Sequence, residues 1–222
     1  FDDETIVIDI TVTSGTADIG TSTHTVTITD DEVAPAGLQI SSVNTNFVID
    51  FDNTVSGINN GQFNGLGFTP APSIGQLDSD AWKTTGMSEG NTAVGDSNTS
   101  GDFAKEDSSG GETSGGFYAF ETSTSNYSLG FQPTGSDFTP GTITLRSQNQ
   151  TGTTITEIYL SYIIYVLNNE NRTNTLNFEY STDDTTYTPL GSLDFTSTET
   201  QDGSPSWISN NRSTNISSLS IA

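Results

Sequence analysis

Residues 155–167, Ile-Thr-Glu-Ile-Tyr-Leu-Ser-Tyr-Ile-Ile-Tyr-Val-Leu, restrict what this chain can fold into more than any other stretch. The run is rich in β-branched and aromatic residues, holds no Gly or Pro, and is closed by Asn168, Asn169 and Asn171. That composition predicts one long strand near the centre of a sheet. Strand side chains alternate between faces, so Ile158, Leu160, Tyr162, Ile164 and Val166 form a nearly wholly apolar face that must pack on a second layer. Glu157, Tyr159, Ser161, Ile163 and Tyr165 form a mixed face, either half-covered or a ligand platform.

Short strands recur elsewhere without a helical period. Segments 117–120, 128–132, 142–146, 175–180 and 187–190 carry β-forming residues, separated by turns at 135–140, 148–152 and 182–185. Residues 207–222 supply at most one more strand. The expected fold is therefore all-β, an antiparallel β-sandwich of the jelly-roll type. A run at 47–52, Phe-Val-Ile-Asp-Phe-Asp, reads as its first long strand. Residues 53–116 read as irregular and Gly-rich, with Phe63, Phe68, Leu77, Trp82, Phe103 and Phe117 anchoring long loops to the sandwich.

Before this lie residues 1–33, which read as two strands, 5–12 and 24–29, joined by a loop and ended by Asp30, Asp31 and Glu32. Two strands bury no independent core, so this segment is expected to be the end of a preceding domain. Residues 34–46, with Pro35 and Gly37, form a linker and lead-in, and 47–222 the main module.

Charge narrows the function. The chain has 28 acids against 5 Lys plus Arg, a formal charge of −23 over 222 residues. Such a surface has almost no cations to replace nucleic-acid counterions, which argues against nucleic-acid partners and anionic membranes. No apolar run approaches the roughly 20 residues a bilayer-spanning helix needs. Cysteine is absent, and an extracellular β protein without disulfides is more typical of bacteria than of animals. An acidic, Thr/Ser/Asn-rich surface without disulfides fits a secreted bacterial protein, and the lack of a secretory signal at 1–4 leads us to expect a piece of a longer precursor.

Two resemblances sharpen this. The acids Asp2-Asp3-Glu4, a strand, a loop ending Ala17-Asp18-Ile19-Gly20, and Thr25-Val26-Thr27-Ile28-Thr29-Asp30-Asp31-Glu32 resemble the last two strands of a Calx-β repeat, an immunoglobulin-like sandwich. The resemblance implies Ca²⁺ held at one pole by Asp2, Asp3, Glu4, Asp30, Asp31 and Glu32, with further ligands from strands not in this chain. The main region is similar to a module of large secreted proteins of marine Bacteroidota, on Asp50-Phe51-Asp52, Gln76-Leu77-Asp78-Ser79-Asp80-Ala81-Trp82, Gly116-Phe117-Tyr118-Ala119-Phe120 and Phe178-Glu179-Tyr180-Ser181-Thr182-Asp183. That similarity implies an extracellular or outer-surface location, neighbouring domains on the same long chain, and type 9 secretion machinery as a partner.

Catalytic material is thin. His24 is the single histidine, which leaves no second imidazole for zinc and no Ser-His-Asp set at the main module. Among the acids, Glu157 and Glu179 alternate with apolar residues on strands and are the remaining candidates for glycoside hydrolysis. Sugars stack on exposed aromatics while Asn and Arg bond their hydroxyls, so Trp82, Tyr118, Tyr159, Tyr165 and Trp207, with Asn168, Asn169 and Arg172, are the candidate ligand-binding residues. Against this stands burial of the same aromatics as core. Asp50 with Asp52 and Asp78 with Asp80 are spaced to put both carboxylates on one side of a strand, a pattern suited to structural Ca²⁺.

The expectation is a non-catalytic extracellular module that binds polysaccharide, a cell-surface glycan or another surface partner, in adhesion or enzyme targeting. The alternatives are a structural spacer or secretion passenger without its own ligand, and an ancillary domain of a secreted hydrolase. Exposure of the aromatics decides between binding and spacing.

Overall fold

The computed structural model describes residues 37–222, and, from the preceding part, the backbone of β1 (Glu4–Asp9) and β2 (Thr23–Ile28). The chain divides into two compact units, residues 1–34 and 35–222. In the first, β1 and β2 pair antiparallel in continuous register from Glu4↔Ile28 to Asp9↔Thr23.

The second unit is an all-β sandwich of small, mainly antiparallel sheets. Its strands are β3 (Leu38–Ile40), β4 (Phe68–Thr69), β5 (Leu77–Asp78), β6 (Trp82–Met87), β7 (Gly90–Thr92), β8 (Asp107–Ser108), β9 (Gly116–Ser123), β10 (Asn126–Gln132), β11 (Thr142–Leu145), β12 (Ser147–Asn149), β13 (Ile158–Leu167), β14 (Thr175–Leu176), β15 (Glu179–Tyr180), β16 (Thr188–Pro189), β17 (Phe195–Thr196) and β18 (Trp207–Ile216). A 3₁₀ turn spans Gly101–Phe103. Three-stranded sheets run in the order β10-β9-β8 and β11-β6-β7. The pairs β3–β12, β4–β5 and β8–β9 are parallel. Among the described residues no helix is long and apolar enough to cross a membrane.

The core lies in the Gly-rich part. Ile58, Phe63, Phe68, Leu77, Ala81, Trp82, Met87, Phe103, Phe117 and Ala119 form the main buried cluster, so residues 53–116, expected to be loops pinned onto a sandwich, are its interior and contain β4 to β8. Glycine makes this packing possible where backbones cross. Gly65, at φ +67°, carries its Cα where a Cβ would stand 2.2 Å from the Glu106 carbonyl oxygen, and its own carbonyl accepts the Glu106 N–H at 3.0 Å.

The strand buried on both faces is β9. Phe117 and Ala119 face the main cluster, where Phe117 meets Phe68 and Phe138 edge-on at 5.1 and 5.0 Å. Tyr118 and Phe120 face the other way; they stack at 5.2 Å, and Phe120 meets Trp207 at 5.2 Å. A run with no polar residue, Phe-Tyr-Ala-Phe, is what two buried faces require.

By contrast β13 pairs with β18 alone, in a ten-residue ribbon, and does not sit between two partners. The centre of its sheet was expected from apolar content; burial shows why that content is needed on one face only. Ile158, Leu160, Tyr162, Ile164 and Val166 are half-buried. Tyr162 stacks on Phe178 at 5.9 Å and donates its hydroxyl to the Leu193 carbonyl at 2.8 Å, while Arg212 of β18 lies over the Phe195 ring at 5.2 Å. This inner face therefore packs on the segment bearing β14 to β17.

Two expected strands differ. Residues 47–52 form a loop, with Val48 68% exposed: Asp50 accepts the N–H groups of Asp52 and Asn53, both at 3.1 Å, and Phe51 adopts φ +59°. These local bonds divert the backbone from any ladder. Residues 175–180 break into β14 and β15 because Phe178 N–H donates to the Asp194 carboxylate at 2.8 Å and its carbonyl accepts Leu190 N–H at 2.9 Å. The chain thereby leaves β17 and joins β16. The turn expected at 148–152 is shorter than its span, since Ser147–Asn149 is β12.

Candidate functional site

The outer face of the β13–β18 ribbon carries the exposed candidate aromatic, Tyr159. Register places Tyr159, Ser161, Ile163 and Tyr165 opposite Asn215, Ser213, Asn211 and Ser209, with Leu167 opposite Trp207 at one end. Tyr159 is 67% exposed and Ile163 51%, whereas Tyr165, Leu167 and Trp207 are half-buried. Six residues separate Tyr159 from Tyr165, or about 20 Å of strand. None of the ten ladder side chains on this face is charged, in a chain of net charge −23, and Glu157 lies just beyond its end. An apolar stripe beside a row of amides and hydroxyls offers stacking surface and uncharged hydrogen-bonding groups together.

The other candidate aromatics are structural. Trp82 is 7% exposed, donates its indole N–H to the Ile58 carbonyl at 3.3 Å and lies 6.3 Å from the Phe51 ring. Tyr118 is 4% exposed and donates its hydroxyl to the Ser114 carbonyl at 3.0 Å; burial pushes its pKa up. Neither reaches a ligand surface, because each terminates in the core with its polar end already bonded. Trp207 donates to the Ser109 carbonyl at 3.0 Å and holds one end of the ribbon against Phe120.

The polar candidates at the end of β13 divide similarly. Asn168 is buried, and its amide donates to the Thr200 carbonyl at 2.6 Å and the Thr198 hydroxyl at 3.1 Å, so it ties down residues 198–200. Asn169 is half-buried and Arg172 exposed. The arginine that meets the ribbon is Arg212, on the inner face, whose guanidinium donates to the carbonyls of Asp194 at 3.0 Å and Asn211 at 2.8 Å.

The paired acids are used locally. Asp50 caps its loop and its carboxyl is held below the ordinary range, chiefly by the Asn53 amide. Asp52 accepts the Tyr127 N–H at 2.7 Å and fastens the loop to β10. They therefore do not share a strand face. Asp78 accepts the Asp80 N–H at 3.0 Å, and burial raises its pKa. Among the described residues no three His, Asp or Glu side chains converge as a metal site. Asp2, Asp3, Asp30, Asp31 and Glu32 lie outside the described residues, and Glu4 and His24 are described by backbone alone. Glu157 and Glu179 are both exposed.

A second polar cluster surrounds Ser88. Its hydroxyl donates to Asp102 at 2.6 Å, and Lys105 bridges the same carboxylate at 2.8 Å. The Asp102 hydrogen bond and burial act in opposite senses on Lys105, and the first wins, raising its pKa. Ser88, Asp102 and Lys105 thus form an ion-paired brace between the β6–β7 turn and the 3₁₀ turn.

Sequence reasoning placed Tyr159, Ile163 and Tyr165 on one face by alternation, left Ile163 out of the binding candidates, and missed Asn211 and Asn215 as members of the same surface. Only pairing with β18 brings the asparagines beside the stripe; their alternation with Ser in residues 209–215 was the available signal. No family model, curated protein or solved structure matches the chain.

Proposed function

We propose that the chain is a non-catalytic, extracellular module of a large secreted or surface bacterial protein, and that the outer face of β13–β18 binds an uncharged polysaccharide or surface glycan. The observation that carries this is the exposed Tyr159–Ile163 stripe bordered by Asn211, Ser213 and Asn215, in a ladder whose ten side chains on this face are uncharged. A neutral glycan suits it because the rest of the chain, at −23, repels anionic polymers. The strongly acidic, cysteine-free composition supports the location. Calcium belongs to the first unit on the Calx-β resemblance, with Asp2, Asp3, Glu4, Asp30, Asp31 and Glu32 as its ligands.

Glycan-array binding of the full chain, with Ca²⁺ and with chelator, tests the reading. Saturable binding to one neutral polysaccharide class is expected, reduced about fivefold or more by Tyr159→Ala, since one stacked aromatic contributes on the order of 1 kcal/mol. Because Tyr159 is exposed, that variant should keep its melting temperature. Binding that survives both Tyr159→Ala and Ile163→Ala removes this face from the reading. The burial of Trp82 and Tyr118 favours a spacer as the second reading, and it takes over if no glycan binds.

A further inference from the structure

β13 has a ladder on one edge only. All ten of its residues pair with β18 without a bulge, from Ile158↔Ile216 to Leu167↔Trp207, and among the described residues no backbone hydrogen bond joins Ile158–Leu167 to another strand. An antiparallel strand paired on one side turns the N–H and C=O groups of alternate residues outward on the other. Native edges are normally blocked by charge, proline, bulges or shortness. This edge has none of them: ten residues, about 33 Å, contain no charge and no proline. The opposite edge, β18, is more polar and carries Arg212.

We propose that the free edge of β13 pairs antiparallel with the β13 edge of a second copy of this chain, joining two ribbons into one four-stranded sheet. The sequence of β13 is self-complementary in that arrangement. With the twofold axis at Tyr162, Tyr159 lies opposite Tyr165 of the partner subunit, Ser161 opposite Ile163, Leu160 opposite Ile164 and Ile158 opposite Val166. Every pair keeps parity, so inner apolar face continues into inner face and outer face into outer face. Two Tyr–Tyr cross-strand pairs form on the outer side, where Tyr159 is otherwise 67% exposed. Glu157, flanking the strand, falls opposite Leu167 of the partner subunit, so no acid meets an acid across the two strands despite the net charge of −23. The contact is isologous and closes on itself, which gives a dimer and no fibre. It also sets two copies of the outer face side by side, but it stands without the glycan reading.

Sedimentation velocity of the full chain from about 1 μM to about 500 μM should show a monomer converting to a dimer, as expected for a narrow interface of modest affinity. Ser161→Asp with Ile163→Asp puts like charges opposite each other at both pairs and should leave a folded monomer throughout the range. Amide exchange of the unmodified chain provides a readout independent of that variant: alternate amides in residues 158–167 should gain protection at high concentration. A further check uses the absence of native cysteine: Tyr159→Cys with Tyr165→Cys should give a covalent dimer on mild oxidation far faster than either single variant. A monomer at every concentration overturns the proposal, as does a dimer that persists in the double-Asp variant or leaves the β13 amides unprotected. Glycan binding plays no part in these measurements, so the dimer stands or falls on them even if the glycan reading is lost.

Discussion

Replacing Phe117 by Ala tests whether β9, rather than the longer and more conspicuous β13, is the strand that the second unit depends on. Phe117 is fully buried and its ring is packed by three others: Phe138 at 5.0 Å, Phe68 at 5.1 Å and Phe103 at 6.4 Å. Truncating a fully buried Phe costs about 3–5 kcal/mol, and the lost edge-on contacts place this site toward the upper part of that range, so about 4 kcal/mol is expected. For a domain of this size that corresponds to a fall in melting temperature of roughly 8–16 °C. Leu160→Ala on β13 removes a side chain that is only half-buried, and should cost about 1–2 kcal/mol. Urea denaturation reads both, with Trp82 fluorescence reporting the main cluster in a Trp207→Phe background. The order of the two losses is the decisive result. If Leu160→Ala costs as much as Phe117→Ala, or if Phe117→Ala costs less than about 1 kcal/mol, the two-faced burial of β9 does not organise the fold and the argument fails.

Three further outcomes follow from individual residues. Asp137 is buried and accepts the Ser88 N–H at 2.8 Å and the Thr134 hydroxyl at 2.8 Å; burial alone would raise its pKa, but these bonds outweigh it and the net shift is downward. Its contribution to stability is therefore full above the ordinary aspartate pKa and is lost as pH falls through the lower folded value; Asp137→Ala should cost about 1–3 kcal/mol at neutral pH and flatten the acid limb of the urea-measured stability profile. Asp183 accepts N–H groups from Thr186 at 2.7 Å and Thr185 at 2.9 Å, and a hydroxyl from Ser181 at 2.9 Å, which lower its pKa to about 2; carboxyl NMR titration should find its midpoint there, and higher in Ser181→Ala. Gly65→Ala drives a Cβ into the Glu106 carbonyl at φ +67°, and should destabilise the unit by more than about 1 kcal/mol in the same urea assay.

The sequence by itself determined the fold class and the faces of individual strands. Alternation in residues 158–167 separates a face that packs from one that remains exposed, since a strand's period of two is set by the backbone and needs no partner to be read. The large apolar side chains of a sparse segment, Phe63, Phe68, Leu77, Trp82, Phe103 and Phe117, were likewise legible as buried, because their transfer from water is favourable wherever the chain runs. Only the tertiary structure decided which segment holds the core, which strand pairs with which, and which aromatics reach solvent. Residues 53–116 look like loops because glycine turns at positive φ carry no periodic signal, yet those turns let backbones approach closely enough to enclose the main cluster. Residues 47–52 read as a strand, and Asp50 redirected them with two short local bonds. Tyr118 and Tyr159 are the same residue type on similar strands. The first is enclosed because β9 has layers on both sides, and the second is bare because the cover over the outer face of its ribbon reaches only the Leu167–Trp207 end, at Phe120 and Ser109.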